Sequence, residues 1–116
     1  MELLNSNFVT KYISNPYPIW IIDNFFKEEV LTKIKLEWPN INSPLWHKGH
    51  KYIDGKENIL EQGMRSISKL EDIPQYSSEI LKYIHTKNFT DIISNITGKT
   101  NLIPDESFRW SGLRAM

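Results

Sequence analysis

The sequence predicts an α+β fold, with about three helices packed on a small, incomplete sheet. Three observations carry that expectation. Apolar residues recur at helical spacing in three windows, 28–38, 74–86 and 88–97. Ile19 to Asp23 is short, β-branched and apolar on consecutive positions, as expected of a strand buried on both faces. The last stretch, Ser107 to Met116, alternates Phe108 and Trp110 with Arg109 and Ser111, the period of an extended segment. A chain of 116 residues is long enough for one domain that buries roughly two-thirds of its unfolded surface, so residues 1–116 read as a single domain.

Taken in order, Asn15-Pro16-Tyr17-Pro18 breaks any regular element, because each proline pushes the residue before it toward extended geometry. It separates a short N-terminal segment from the 19–23 strand. In the first helical window Val30, Leu31, Ile34 and Trp38 share a face, with Lys33, Lys35 and Glu37 off it. Glu28 and Glu29 suit the dipole of the first turn, and Pro39 stops the helix. Residues 40–58 are irregular and hold Pro44, Gly49 and Gly55 together with Trp46, His47, His50 and Tyr52. So long an irregular stretch is either functional or a lid over the core, and burial of Trp46 and Tyr52 is the first expectation.

Gln62 to Ser68 fits a strand weakened by Gly63. Pro74 opens the second helix, which runs through about Thr86 with Tyr76, Ile80, Leu81 and Ile84 on one face. The third helix takes Asn88 as its N-cap, Phe89, Ile92, Ile93 and Ile96 as its core face, and Gly98 as its terminator. Gly112 interrupts the final extended segment and reads as a bulge. The expected core is Ile21, Ile22, Val30, Leu31, Ile34, Ile80, Leu81, Ile84, Ile92, Ile93 and Ile96.

Composition excludes several classes of function. Fourteen Lys+Arg balance fourteen Asp+Glu, which leaves no basic excess for nucleic acid or for a polybasic membrane anchor. With no cysteine there is no disulfide, thiolate zinc site, iron–sulfur cluster or cysteine nucleophile. The start lacks a positive region and a long apolar run, and the longest apolar run, Ile19 to Ile22, is far too short to span a bilayer. A cytoplasmic protein with no nucleic-acid and no membrane partner is expected.

Two groups of residues carry candidate chemistry. His47 and His50 are spaced to share a metal ion, with Asp54 or Glu57 as the local third ligand; the alternative is a pair of loop histidines bonded locally. Arg109 and Arg114, two of the three arginines, lie on the last extended segment beside Phe108 and Trp110. A guanidinium there suits a carboxylate gripped bidentately, or an edge-strand charge stacked on an aromatic ring. His85 follows Ile84 near a helix end, where an imidazolium suits the dipole. No glycine-rich phosphate loop, Gly-x-Ser-x-Gly elbow or triad spacing occurs, and Glu28-Glu29 and Glu71-Asp72 fit helix starts.

The order of the segments resembles one family. Pro16-Tyr17-Pro18-Ile19-Trp20-Ile21-Ile22-Asp23-Asn24-Phe25-Phe26, followed by Glu28-Glu29 and a helix, resembles the opening of many 2-oxoglutarate/Fe(II)-dependent oxygenases. Phe89 to Gly98, ending Ile-Thr-Gly, resembles a later helix of that family. Leu102-Ile103-Pro104-Asp105 and then Ser111-Gly112-Leu113-Arg114 resemble a subsequent run. The likeness covers about residues 16–116. It implies the lead-in to a jelly-roll core, with Fe(II) and 2-oxoglutarate as cofactors of the completed domain and oxidative hydroxylation as its activity.

The likeness stops at the ligands. The family holds iron with a His-x-Asp/Glu pair and a distant His. In this sequence Gly49, Tyr52 and Lys87 stand two positions after His47, His50 and His85, so no such pair exists. No catalytic, metal or co-substrate residue carries over, and His47, His50, Arg109 and Arg114 remain candidates on their own chemistry. The resemblance therefore implies the N-terminal part of a larger oxygenase domain, inactive by itself and holding no cofactor. A strand without its neighbour also implies self-association through the C-terminal segment. The alternative is a small, non-catalytic interaction domain that presents Phe108, Trp110 and the loop aromatics to a protein partner.

Overall fold

In the computed structural model, which describes residues 2–48, 64–107 and 111–115, the chain opens on a β-hairpin. Strand β1 (Val9–Ile13) pairs antiparallel with β2 (Ile19–Asp23), Val9 opposite Asp23 and Ile13 opposite Ile19. The Asn-Pro-Tyr-Pro breaker makes the connection, with the Asn15–Pro16 peptide cis. The Tyr12 and Trp20 rings meet across the strands at 4.8 Å. The bounds of β2 are as expected, but its surroundings differ. Ile21 is 38% exposed, because a two-stranded ribbon has no second layer to cover both faces. The sequence left β1 as an unassigned segment, and all of it except Ile13 is exposed, so little apolar alternation marks it.

Residues 3–5 strap the corner that follows β2. Leu4 bridges Phe26, Asn5 N–H donates to Phe25 O at 3.0 Å, and Lys27 N–H donates to Leu3 O at 2.9 Å. The Asn5 side-chain amide donates to the carbonyls of Asn24 and Phe26 at 2.7 and 3.0 Å. Helix α1 (Glu28–Glu37) then begins, and its Val30 is fully buried. Leu31 was expected in the core but is 48% exposed, because it lies about 100° around the helix from Val30 and faces a groove.

Helix α2 (Gln75–Ile84) packs on α1 and takes its N-terminal cap from it. Pro74, at the N-cap, has no side-chain cap to offer. Glu37, the last residue of α1, accepts from the N–H groups of Tyr76 and Ser77 at 2.7 and 3.0 Å. Lys33 of α1 sits 5.0 Å over the Tyr76 ring. Helix α3 (Lys87–Thr97) follows after His85 and Thr86. Thr86, not Asn88, is its N-cap, accepting from Phe89 N–H. So short a connection leaves Thr86 as the extended residue before the helix, and Asn88 instead accepts from the Tyr83 hydroxyl at 2.8 Å. Gly98 closes α3 in the left-handed region at φ 72°, as expected.

The second sheet is antiparallel, with β4 (Arg65–Ile67) between β3 (His47–Lys48) and β5 (Leu113–Ala115). Trp46, Ile67, Ile73 and Leu113 form its buried cluster, and Leu70, Leu81 and Ala115 pack against them. Trp46 is anchored by its indole N–H, which donates to Asn40 O at 2.9 Å. The α+β class is therefore as the sequence indicates. The centre of the core is not: of the expected residues Val30 is buried, Ile21 and Leu31 are exposed, and the rest are half-buried. The strand expected over 62–68 is the shorter β4, and Leu113–Ala115 is the described strand of the 107–116 stretch. Tyr52, Phe108 and Trp110 lie outside the described residues.

Ile67→Ala should lower unfolding free energy by about 2–5 kcal/mol in urea titration, since the side chain is completely enclosed. Leu36→Ala, at 82% exposure, should change it by no more than about 0.5 kcal/mol.

Candidate functional site

The β3-β4-β5 sheet has two unlike faces, set by register. Ile67 lies opposite Leu113, and both belong to the buried cluster that Leu81 of α2 packs against. One position along, Ser66 lies opposite His47 on one side and Arg114 on the other. Directly opposed residues share a face, with Cβ atoms roughly 4.5–5.5 Å apart. His47, Ser66 and Arg114 therefore form one row across all three strands, on the face turned away from the core. His47 and Arg114 are exposed and Ser66 is half-buried. The Arg114 guanidinium lies 3.7 Å from Met64 Sδ.

The row joins two of the residues that the sequence singled out separately. Ser66 was missed, because nothing in its local sequence sets it apart; its register does. His47 belongs to a strand and not to an irregular loop. His50 and Arg109 lie outside the described residues, as do Asp54 and Glu57. Among the described residues no three His, Cys, Asp or Glu side chains come together as a metal-ligand group.

The strand β5 is held at both ends of its approach. Gly112 has φ 154°, and a Cβ there would stand 2.4 Å from Ile67 O, so only glycine lets the two backbones meet this closely. Upstream, His85 at the end of α2 contacts the main-chain carbonyl of Asp105 through Nδ1, and Ser111 Oγ through Nε2 at 2.5 Å. Nδ1 therefore donates to the carbonyl. The ring is at a helix end, as the sequence suggests, and it also ties α2 to the lead into β5. The Asp105 carboxylate accepts from the Ser107 hydroxyl at 2.6 Å and from its N–H at 2.9 Å. Those two bonds, with the nearby His85, hold the Asp105 carboxyl below its usual range.

A groove of about 790 Å³ lies elsewhere, where the β2–α1 corner meets α3. Phe25, Leu31, Phe89 and Ile93 supply its apolar walls, and Asn24 and Glu28 its polar edge. Phe25 and Phe89 pack edge to face at 6.1 Å, and Phe89 meets Tyr83 at 5.8 Å. Burial pushes the Tyr83 hydroxyl above its usual value.

No family model, curated protein or solved structure matches this chain. Among the described residues no helix is long and apolar enough to cross a membrane.

Gly112→Ala should cost about 1–3 kcal/mol of stability, because the backbone of β4 or β5 must move to admit the methyl group. Asp105 should titrate with a midpoint below 3.8 in a side-chain carboxyl NMR experiment. The sign follows: the lowered value means the 105–107 turn is supported above the carboxylate range and loses that support as pH falls through the folded midpoint. Ser107→Ala should move the midpoint back upward.

Proposed function

We propose that this chain is the lead-in portion of a domain resembling the 2-oxoglutarate/Fe(II)-dependent oxygenases, ahead of a jelly-roll core. The observation that supports the reading is the sheet into which the Ser111-Gly112-Leu113-Arg114 segment runs. One face of β3-β4-β5 packs against Leu81 of α2, and the other carries the exposed His47 and Arg114. Among the described residues the sheet has Leu81 of α2 on one side and polar side chains on the other, which suits a lead-in to a two-sheet core. The other resembling segments agree in order: residues 16–26 enter β2 and the corner before α1, and 89–98 run along α3 to its left-handed glycine.

Oxidative hydroxylation of a substrate C–H bond is the activity this reading assigns to the completed domain. Among the described residues no three side chains of the ligating types come together, and His85 is engaged by Ser111 and the Asp105 carbonyl, so these residues do not fit an iron site. No step through iron is assigned to this chain, and by itself it should be inactive. A cytoplasmic location, with no nucleic-acid or membrane partner, belongs to the same proposal.

A second reading, a non-catalytic interaction domain, draws on the aromatic groove between the β2–α1 corner and α3. Sequencing the coding DNA beyond codon 116 separates the two. A continuing frame with His-x-Asp and a later His supports the oxygenase reading, and a continuing frame without them overturns it. For the 116-residue chain, an anaerobic Fe(II) titration followed by succinate detection with 2-oxoglutarate and oxygen should give no iron-dependent succinate. Stoichiometric iron with succinate release would show a ligand set not recognised above. Light scattering over a concentration series should show self-association through the β5 edge; a strict monomer at high concentration argues for a closed domain.

A further inference from the structure

We infer that the groove between the β2–α1 corner and α3 binds a small organic amine, an ammonium group on an apolar body, with the Glu28 carboxylate as its counter-charge. The inference stands on the groove's own residues and rests on neither functional reading above.

Size and wall chemistry set the body of the ligand. The groove's volume of about 790 Å³ falls within the roughly 300–1,000 Å³ of sites that take small molecules. Phe25 comes from the corner, Leu31 from α1, and Phe89 and Ile93 stand about one turn apart on α3. Phe25 is fixed among three other rings, Phe8 at 5.2 Å, Phe26 at 5.0 Å and Phe89 at 6.1 Å. A wall already packed in this way loses little freedom when a ligand arrives. Leu31 is 48% exposed, which is apolar surface that the ligand's body would cover.

The polar edge sets the head group. Among the described residues that line the groove, Glu28 alone carries a charge, and no hydrogen bond or ion pair among the described residues engages its side chain. The neighbouring Lys27 ammonium lies instead 3.2 Å from Glu2. Asn5, also on the groove, commits both hydrogens of its side-chain amide to the Asn24 and Phe26 carbonyls, which leaves its Oδ1 as an acceptor. A carboxylate and an amide oxygen call for a cation with several N–H donors, and aromatic rings favour the same charge. Glu28 is exposed, so its attraction is screened and the apolar body carries most of the affinity.

The test is a chemical-shift titration of the isotope-labelled 116-residue chain near neutral pH at constant ionic strength, with phenethylamine, phenethyl alcohol and phenylpropionate in separate arms. The three share an apolar body and differ in head group. The expected result is saturable shifts centred on Phe25, Glu28, Leu31 and Phe89, with a dissociation constant for the amine on the order of millimolar. The alcohol should bind severalfold more weakly, and the carboxylate more weakly still. Glu28→Gln should bring the amine to the affinity of the alcohol and leave the alcohol unchanged. Leu31→Lys, which puts a cation on the groove, should weaken amine binding at least about tenfold. Leu36→Lys, the same change at an exposed position of the same helix away from the groove, should not. Alcohol binding as tight as the amine's, tightest binding of the carboxylate, shifts that grow linearly or centre elsewhere, an equal response to the two lysine variants, or an amine preference that survives Glu28→Gln overturns the inference. Glu28→Gln alters one exposed side chain and leaves Glu29 in the first turn of α1, so the test stays decisive where a Leu31 variant fails to fold.

Discussion

The close approach of Gly112 to the carbonyl of Ile67 is the contact on which the second half of the molecule depends. Ile67 is fully enclosed, and it is enclosed because β5 lies against β4 with Leu113 directly opposite. A side chain at position 112 would hold the strands apart at that point. Burial of one isoleucine is worth about 1.5–3 kcal/mol, and the neighbours that complete the enclosure multiply that term. Without β5 the cluster of Trp46, Ile73 and Leu81 would keep one side open.

Polar ties fix how the helices meet this sheet. Glu37 caps α2 from the end of α1, so the two helices share a joint that neither could make with its own residues. His85 joins the other end of α2 to the carbonyl of Asp105 and the hydroxyl of Ser111, aligning the chain that feeds β5. Asn5 stitches the N-terminal strap to the β2–α1 corner. Each such bond contributes on the order of 1 kcal/mol net, less than one enclosed aliphatic side chain. Their effect is mainly on position: they select one arrangement of elements whose apolar faces are mostly half-covered.

That half-coverage links the fold to the functional reading. Among the described residues Leu36, Ile103, Tyr17 and Val9 are exposed, and no residue of α3 is buried, although its apolar residues are well segregated. A domain part that backs a larger core, or one that receives a partner, leaves apolar surface of this kind uncovered. Among the described residues the outer row of the sheet differs in kind, since His47, Ser66 and Arg114 are polar or basic.

Local sequence determined the helices, the β2 strand and the α3 terminator, because 3.6-residue periodicity, β-branched runs and a left-handed glycine act over a few residues. Composition alone also leaves the chain without a thiol and without an excess of basic charge. Long-range geometry decided the rest. The apolar run of β2 marks a strand equally well in a buried sheet or an exposed ribbon, and only its single partner, β1, makes it the latter. Asn88 and Thr86 are both good caps, and the length of the α2–α3 connection chose Thr86. His47 and Arg114 are 67 positions apart, and Ser66 has no local mark; the antiparallel register of three short strands put them in one row. Register is a property of strand pairs, set by which side chains fit the core on the opposite face, and a single strand's sequence does not contain it.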